Sequence, residues 1–382
     1  MKKALLILAL ALIGSAPLLL ASGIGFTGLA DNPLFREPSS DPYSFTSQLG
    51  IIRPADALSS PMEIMACVSD PETGKSSYVS LPIRSNAVSD PEYLNMKAGT
   101  SLGLLRTDLG FVKAELSLAG YINTVFEGFG GTDCLGLDGS YFLGFAIQGL
   151  DCLTLRFGLH HFSGHYGDEI LETYYSTNSA VFEPFMSTID VNGKTMNLSG
   201  PVQYVRDNSY LMSLSCDGPL GLRAYAQAEL PRRESWIRPF AHVPSGYTNP
   251  STHTDLIDRI GGSEAISADQ KADENALKTG SSYRGWRLNG GLEWSVLLKD
   301  MTLLAGLDLQ AHQDGQTAHQ IGSYDPSRQW ETELTATIAI MLKSALGARS
   351  LGLWASYHDG RFPLLNFFYQ RTQCLSIGLR VY

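Results

Sequence analysis

Alternation with a period of two runs through this chain in stretches longer than an ordinary strand of about five or six residues. From Leu220 to Leu230 one parity carries Leu220, Leu222, Ala224, Ala226, Ala228 and Leu230, and the other carries Arg223, Tyr225, Gln227 and Glu229. From Met301 the apolar parity is Met301, Leu303, Ala305, Leu307, Leu309 and Ala311, against Thr302, Asp308, Gln310 and His312. From Trp330 it is Trp330, Leu334, Ala336, Ile338, Ile340 and Leu342, against Glu331, Glu333, Thr335 and Thr337. Successive side chains of a strand point to opposite faces, so each stretch is a strand with one apolar and one polar side. Lengths near 9 to 11 residues match what a tilted strand needs to cross a bilayer.

Twelve such runs are predicted, near residues 44–52, 97–106, 110–121, 139–149, 152–164, 206–216, 219–230, 283–297, 300–312, 328–343, 348–358 and 371–382. Tight turns join alternate pairs, at Thr107 to Leu109, Gly149 to Asp151, Asp217-Gly218, Lys299-Asp300 and Ser344 to Gly347. Long connections join the others, at 53–96, 122–138, 165–205, 231–282, 313–327 and 359–370. Within the longest, Ser263 to Lys278 reads as a short surface helix. A sandwich has no reason to sort its loops by end, whereas a barrel with short periplasmic turns and long extracellular loops does. The predicted fold is all-β: an antiparallel transmembrane β-barrel of about 12 strands over 44–382.

Composition agrees. Only 17% of the 382 residues are charged while 44% are hydrophobic, a shortage of surface charge compared with the roughly 25% of a soluble domain. Beyond the first two dozen residues no apolar run reaches the roughly 18 needed for a membrane helix. The net charge of -10 argues against a nucleic-acid partner, which requires a basic surface. Lys2-Lys3, an apolar stretch to Ala21 and the small residues Ala21-Ser22-Gly23 read as a signal peptide over 1–23, followed by a periplasmic extension over 24–43. Location in the outer membrane of a diderm bacterium follows as an expectation. The partners would be outer-membrane lipid and, during insertion, the barrel-assembly machinery that reads a terminal strand such as Leu375, Ile377, Leu379 and Val381. Of the five cysteines, Cys67 and Cys134 could form a loop-to-loop disulfide, and a role for all five as small apolar fillers is the other reading.

The inward parity gathers a charge network of Lys113, Glu115, Arg156, Arg223, Glu229, Arg287, Glu293, Asp308, Glu331 and Glu333, with Arg380 beside them. Near balance of sign lets these side chains pair across the interior, and buried charges must pair. A filled or narrow lumen is expected rather than a wide pore.

One constellation has chemical potential. His161 and Ser163 continue the lipid-facing row Leu153, Leu155, Phe157 and Leu159, where polar residues need a reason. Asn208 lies at similar depth on the neighbouring strand. The H-x-S pattern on a lipid-facing strand resembles that of outer-membrane phospholipases and lipid A deacylases. That resemblance implies Ser163 as nucleophile and His161 as base, with Asn208 orienting the imidazole by its position. Asp168 and Glu169 could then hold calcium; otherwise no cofactor is expected.

The longer string from His161 to Glu169, with Leu34-Phe35, Asp41-Pro42, Ala305 to Ala311, Asp359-Gly360-Arg361, Pro363 and Phe367-Phe368, resembles a bacterial family of unassigned activity whose members look like outer-membrane barrels. The resemblance implies fold and location and no chemistry. Two functions are weighed: a non-enzymatic barrel, structural or narrowly solute-selective, and a lipid acyl hydrolase.

Overall fold

The computed structural model describes residues 25–30, 32–54, 63–74, 76–82, 92–128, 134–149, 152–167, 188–205, 208–231, 236–239, 286–312, 330–343, 350–367 and 371–381. In chain order the strands are β1 (Gly25–Ala30), β2 (Ser47–Pro54), β3 (Glu63–Ser69), β4 (Ser76–Pro82), β5 (Tyr93–Asp108), β6 (Val112–Glu127), β7 (Cys134–Gly149), β8 (Leu153–Tyr166) and β9 (Thr188–Val191). They continue as β10 (Lys194–Val205), β11 (Ser209–Asp217), β12 (Leu222–Pro231), β13 (Trp236–Pro239), β14 (Arg287–Leu298), β15 (Met301–His312), β16 (Glu331–Lys343), β17 (Ser350–Arg361) and β18 (Arg371–Val381).

Twelve of them close into an antiparallel barrel, in the order β5, β2, β18, β17, β16, β15, β14, β12, β11, β8, β7, β6, with β6 pairing back to β5. Closure leaves no free sheet edge within that wall. The alternation sorts as the sequence dictates. Leu292, Leu309, Ile338, Leu353 and Ile377 are exposed on the outside, while Glu115, Arg223, Asp308, Glu333 and Arg380 are buried inside. This inside-out arrangement, an apolar exterior belt around a polar interior, is that of a transmembrane barrel. Apolar side chains also reach the interior, among them Phe142 and Phe162 and a cluster of Ala339, Met341 and Trp354.

The short turns come out as expected at three places. Leu109 N–H donates to the Val112 carbonyl at 2.9 Å, and Gly218 N–H to the Leu222 carbonyl at 2.7 Å. Lys299-Asp300 forms a two-residue hairpin turn with Lys299 at a φ of 54°, since tight hairpin turns need the left-handed region. The long connections are less plain than predicted. The stretch 53–96 contains β3 and β4, 165–205 contains β9 and β10, and 231–282 contains β13; these five strands form a second sheet in which β10 pairs β13, β3 and β9. The expected signal peptide and the helix at 263–278 lie outside the described residues.

One boundary is corrected. Residues 25–30 and 32–43 do not extend beneath the barrel but join it. β1 pairs with the lower part of β5, Gly25 opposite Asp108, and residues 32–46 then run inside the barrel before β2 begins. Phe35, Ser39, Ser40, Ser44 and Phe45 are all at most 4% exposed. The polar interior supplies the hydrogen bonds that a non-repetitive segment needs for its backbone and side chains.

Candidate functional site: a plugged lumen and a polar patch on the lipid face

The plug formed by residues 32–46 is held by side chains from almost every part of the wall. Leu34 N–H donates to Glu115 at 3.1 Å. Arg156 donates to Glu37 at 2.5 Å, and Ser101 to the same carboxylate at 3.0 Å. Ser39 donates through both its N–H and its hydroxyl to Glu293, whose other oxygen accepts from Arg223 at 2.7 Å. Arg223 and Arg380 donate to the carbonyls of Arg36 and Ser39, and Lys97 to that of Pro42 at 2.9 Å. Asp41 accepts from three primary amides on three neighbouring strands, Gln227 at 3.1 Å, Asn289 at 3.3 Å and Gln310 at 3.2 Å. Guanidinium groups also lie over plug rings, Arg156 4.1 Å from the centroid of Phe35 and Arg287 4.5 Å from that of Tyr43. The approach is close at Gly306 of β15, where a Cβ would collide with the Ser40 hydroxyl.

The inward charges pair with the plug or with one another. Glu115 accepts from Arg106 at 2.9 Å. Glu229 lies 3.0 Å from His160 and 4.0 Å from Arg287. Glu333 lies 2.6 Å from His312 and also pairs with Arg361. Asp308 accepts from the Tyr225 hydroxyl at 2.7 Å, and Glu331 is buried facing inward. Lys113 departs from the expectation: it is only half-buried and stands opposite Asp108 beside the short turn, because parity alone does not say how far a position lies from the rim.

The opposite mouth is closed by residues 362–367, which follow β17. Phe362, Leu364, Leu365 and Phe367 are at most 2% exposed. Phe362 packs edge-on to Tyr93 at 5.3 Å and Phe367 to Tyr166 at 5.9 Å. Leu365 N–H donates to Asp138 at 3.0 Å, and Asn123 donates to the Pro363 carbonyl at 3.0 Å. Between plug and cap lies a chamber of about 60 Å³, touched by Ser40, Pro42 and Tyr43 of the plug and Pro363 of the cap, with Asn95, Thr337, Trp354 and Arg380 among its walls. At about 15 Å³ each, it has room for roughly four waters. The buried Ser40 and Thr337 hydroxyls, both on its wall, have no hydrogen-bond partner among the described residues, a cost that a hydrogen-bonding guest would relieve.

On the lipid face, His161 Nδ1 meets Asn208 Oδ1 at 2.7 Å. The imidazole stacks on Tyr141 with centroids 4.9 Å apart. This contact is the one the sequence placed by depth, across the β8–β11 pair. Ser163 does not complete it: its hydroxyl donates to the Gly139 carbonyl at 3.5 Å, the outer limit of a hydrogen bond. Gly139 is directly opposite Ser163, and a Cβ there would press on the Ser163 oxygen at 3.1 Å, so the glycine leaves a notch beside the hydroxyl. Asp168 and Glu169 lie outside the described residues, and among the described residues no group of three or more His, Cys, Asp or Glu is placed to hold a metal ion. The Cys67 side chain is also outside them, and with it the Cys67–Cys134 pairing.

No family model matches the chain, and no curated protein matches it. Among solved structures it is similar to a NanC porin, at 11% identity over 88% of this chain and 99% of that one, with a TM-score of 0.37. It is also similar to the translocator domain of the autotransporter NalP from Neisseria meningitidis, at 11% identity over 88% of each chain and a TM-score of 0.31. The outer membrane channel COG4313 from Pseudomonas putida F1 matches at 10% identity over 92% of this chain and 98% of that one, with a TM-score of 0.32. At such scores the likeness carries no argument, and the barrel is established by the strand pairing of this chain itself.

Proposed function

We propose that the chain is an integral outer-membrane barrel serving as a narrow, normally closed passage for a small polar solute. The observation that carries this reading is the occupation of the lumen by residues 32–46, bound through polar contacts to the wall, with a polar chamber left above them. A barrel built only as a wall filler has no need of a hollow, whereas a passage that opens by plug displacement needs a polar interior on both sides of the plug. The short-turn end then faces the periplasm and the small second sheet belongs to the extracellular side. Several residues behind the resemblance to a family of unassigned activity, Phe35 and Asp41 of the plug and Pro363 of the cap, belong to these parts, which supports reading them as one device.

Conductance in planar lipid bilayers tests it. The full chain is expected to give rare, small current steps, and a variant with residues 34–44 replaced by a Gly-Ser linker of equal length is expected to give large, sustained ones. Equal silence from both, with the variant still folded as a heat-modifiable band, would leave a structural barrel.

A second reading, a lipid acyl hydrolase, is favoured by one specific observation, the 2.7 Å contact between His161 and Asn208. It fixes the imidazole, and catalytic hydrogen bonds of unliganded enzymes are often long. Release of fatty acid from phospholipid or lipid A in outer-membrane vesicles, with and without calcium and against Ser163→Ala, decides it. No release by the unaltered protein ends this reading.

A further inference from the structure

The chamber between plug and cap has a row of hydroxyls along one wall. Thr337 on β16 stands directly opposite Ser356 on β17, and Ser356 directly opposite Ser376 on β18. All three line the chamber, as does Ser40 of the plug. Direct neighbours across antiparallel strands are about 5 Å apart, so the row offers hydroxyls at even spacing on one face. Thr337 and Ser40 are only 3% and 1% exposed, and neither hydroxyl has a hydrogen-bond partner among the described residues.

The charged, imidazole and amide groups that line the same space are already engaged. Arg380 donates to the Ser39 carbonyl and to Gln48, and Asp138 accepts from Leu365 N–H. His358 meets Thr335 through one ring nitrogen and the Arg361 carbonyl through the other. Gln48 donates to Asn95 at 2.8 Å and Asn95 to Asn123 at 2.6 Å, and Asn123 ends this chain of amides on the Pro363 carbonyl. What remains for a guest is hydroxyls, which donate and accept alike, and apolar surface from Trp354 and from Ile52, the residue opposite Ser376. An ion in so buried a place needs a counter-charge of its own; a neutral molecule carrying hydroxyls on a short carbon chain does not. Four waters at about 30 Å³ of liquid each come to about 120 Å³, close to the volume of a three-carbon triol and short of that of a hexose.

We propose that this chamber is a binding site for a small neutral polyol of glycerol size. Its hydroxyls bond to the row Thr337, Ser356 and Ser376 and to Ser40, and its carbons lie against Ile52 and Trp354. This deepens the passage reading by naming the class of its solute; that the guest is in transit rests on that reading, whereas occupancy of the site does not.

The test uses the folded full-length barrel in detergent, with glycerol as the probe. A ligand that binds only the folded state raises the unfolding midpoint, beyond the general effect of an excluded osmolyte. Urea midpoints are measured in rising glycerol and, in parallel, in rising sucrose, which is too large for the chamber. The unaltered barrel is compared with Thr337→Val combined with Ser356→Ala, whose folding is shown by heat-modifiable mobility. Glycerol is expected to raise the midpoint of the unaltered barrel more, with an apparent affinity about tenfold weaker in the double variant, and sucrose is expected to raise both alike. Equal responses to glycerol overturn the proposal. So does the same excess with sodium chloride, which marks an anion site, or with glucose, which marks a larger hollow. Should the double variant fail to fold, Ser40→Ala, which leaves every wall strand unaltered, takes its place with the same outcomes. Equilibrium dialysis against radiolabelled glycerol is expected to find one molecule per unaltered barrel, and none bound overturns the site. The passage reading is judged separately, by the conductance of the Gly-Ser linker variant: its silence with glycerol bound ends that reading and keeps the site, and its conductance with no glycerol bound does the reverse.

Discussion

Arg156 on β8 and Glu37 in the plug form an ion pair at 2.5 Å in which the side chains are only 3% and 7% exposed. The same guanidinium donates to Gln227 at 3.1 Å and covers Phe35, so one wall residue grips the plug by charge and by ring stacking. Removing one partner leaves the other charge buried and uncompensated, which costs about 3–5 kcal/mol. Arg156→Met is expected to lower the urea midpoint accordingly. Combining it with Glu37→Leu is expected to recover most of the loss, because a desolvated pair contributes little over an apolar one. A single substitution without effect would mean that the pair is not closed in the membrane.

Asp41 offers a finer probe of the latch. Its carboxylate accepts from Gln227, Asn289 and Gln310, and Asp41→Asn turns one acceptor into a donor facing amide donors. A loss of about 1–3 kcal/mol is expected from the unsatisfied groups, read as more frequent openings in bilayer recordings with little change in overall thermal stability of the wall.

Gly306 tests the close approach of plug and strand. Gly306→Val places methyl groups where the Ser40 hydroxyl sits, an overpacking cost of about 1–3 kcal/mol. Loosening of the plug, seen as protease cleavage within residues 32–46 of the folded barrel, is the expected result.

The lipid face is checked at Ile338, which is 64% exposed near the middle of β16. Ile338→Arg is expected to destabilise the barrel by about 2–4 kcal/mol in bilayers, whereas an exposed site in water tolerates the same change within about 0.5 kcal/mol. Stability in phospholipid vesicles as a function of urea distinguishes the two.

Outside the membrane, Asp70 at the end of β3 accepts from Lys194 at 2.6 Å, from Thr73 at 2.8 Å and from Glu72 N–H at 2.9 Å. The Lys194 ammonium first, then the two turn donors, hold its carboxyl well below the usual carboxylate range, and Asp70 in turn raises the Lys194 ammonium above its ordinary value. The contribution of Asp70 is complete above about pH 3.9, its unfolded value, and is lost as pH falls through the depressed folded value; that of Lys194 is complete below about pH 10.4 and lost on further rise. Amide protection of Gly74, whose N–H donates to the Asp70 carbonyl, is expected to persist across that window and to fall below it. Asp70→Asn is expected to flatten the acid limb.

The wall was legible because its strands keep an apolar parity outside and a mostly polar parity inside. That rule comes from a bilayer outside and a wet or charged interior, and it fixed all twelve strands in order. The plug obeys no such rule. Between Asn32 and Thr46 the chain has prolines, serines and charges with no period, because its backbone bonds go to lumen side chains rather than to a ladder. Only the count of lumen charges hinted at it: Glu293 and Arg223 were visible, but their plug partners, Ser39 and the Arg36 carbonyl, lie more than a hundred residues away in sequence. Leu34-Phe35 and Asp41-Pro42 were singled out by resemblance alone. The His161–Asn208 contact could be read because parity and depth are both set by strands, whereas the Ser163 hydroxyl takes a rotamer that sequence does not specify.

Arg380 of the last strand donates at once to the Ser39 carbonyl of the plug and, at 2.8 Å, to Gln48 of the first wall strand, and these two strands form the seam where the chain's beginning meets its end. Zipping that seam therefore depends on what already lies within. A barrel that closed empty would bury the Arg380 guanidinium without one of its acceptors, so sealing β18 against β2 is more favourable with residues 32–46 already inside.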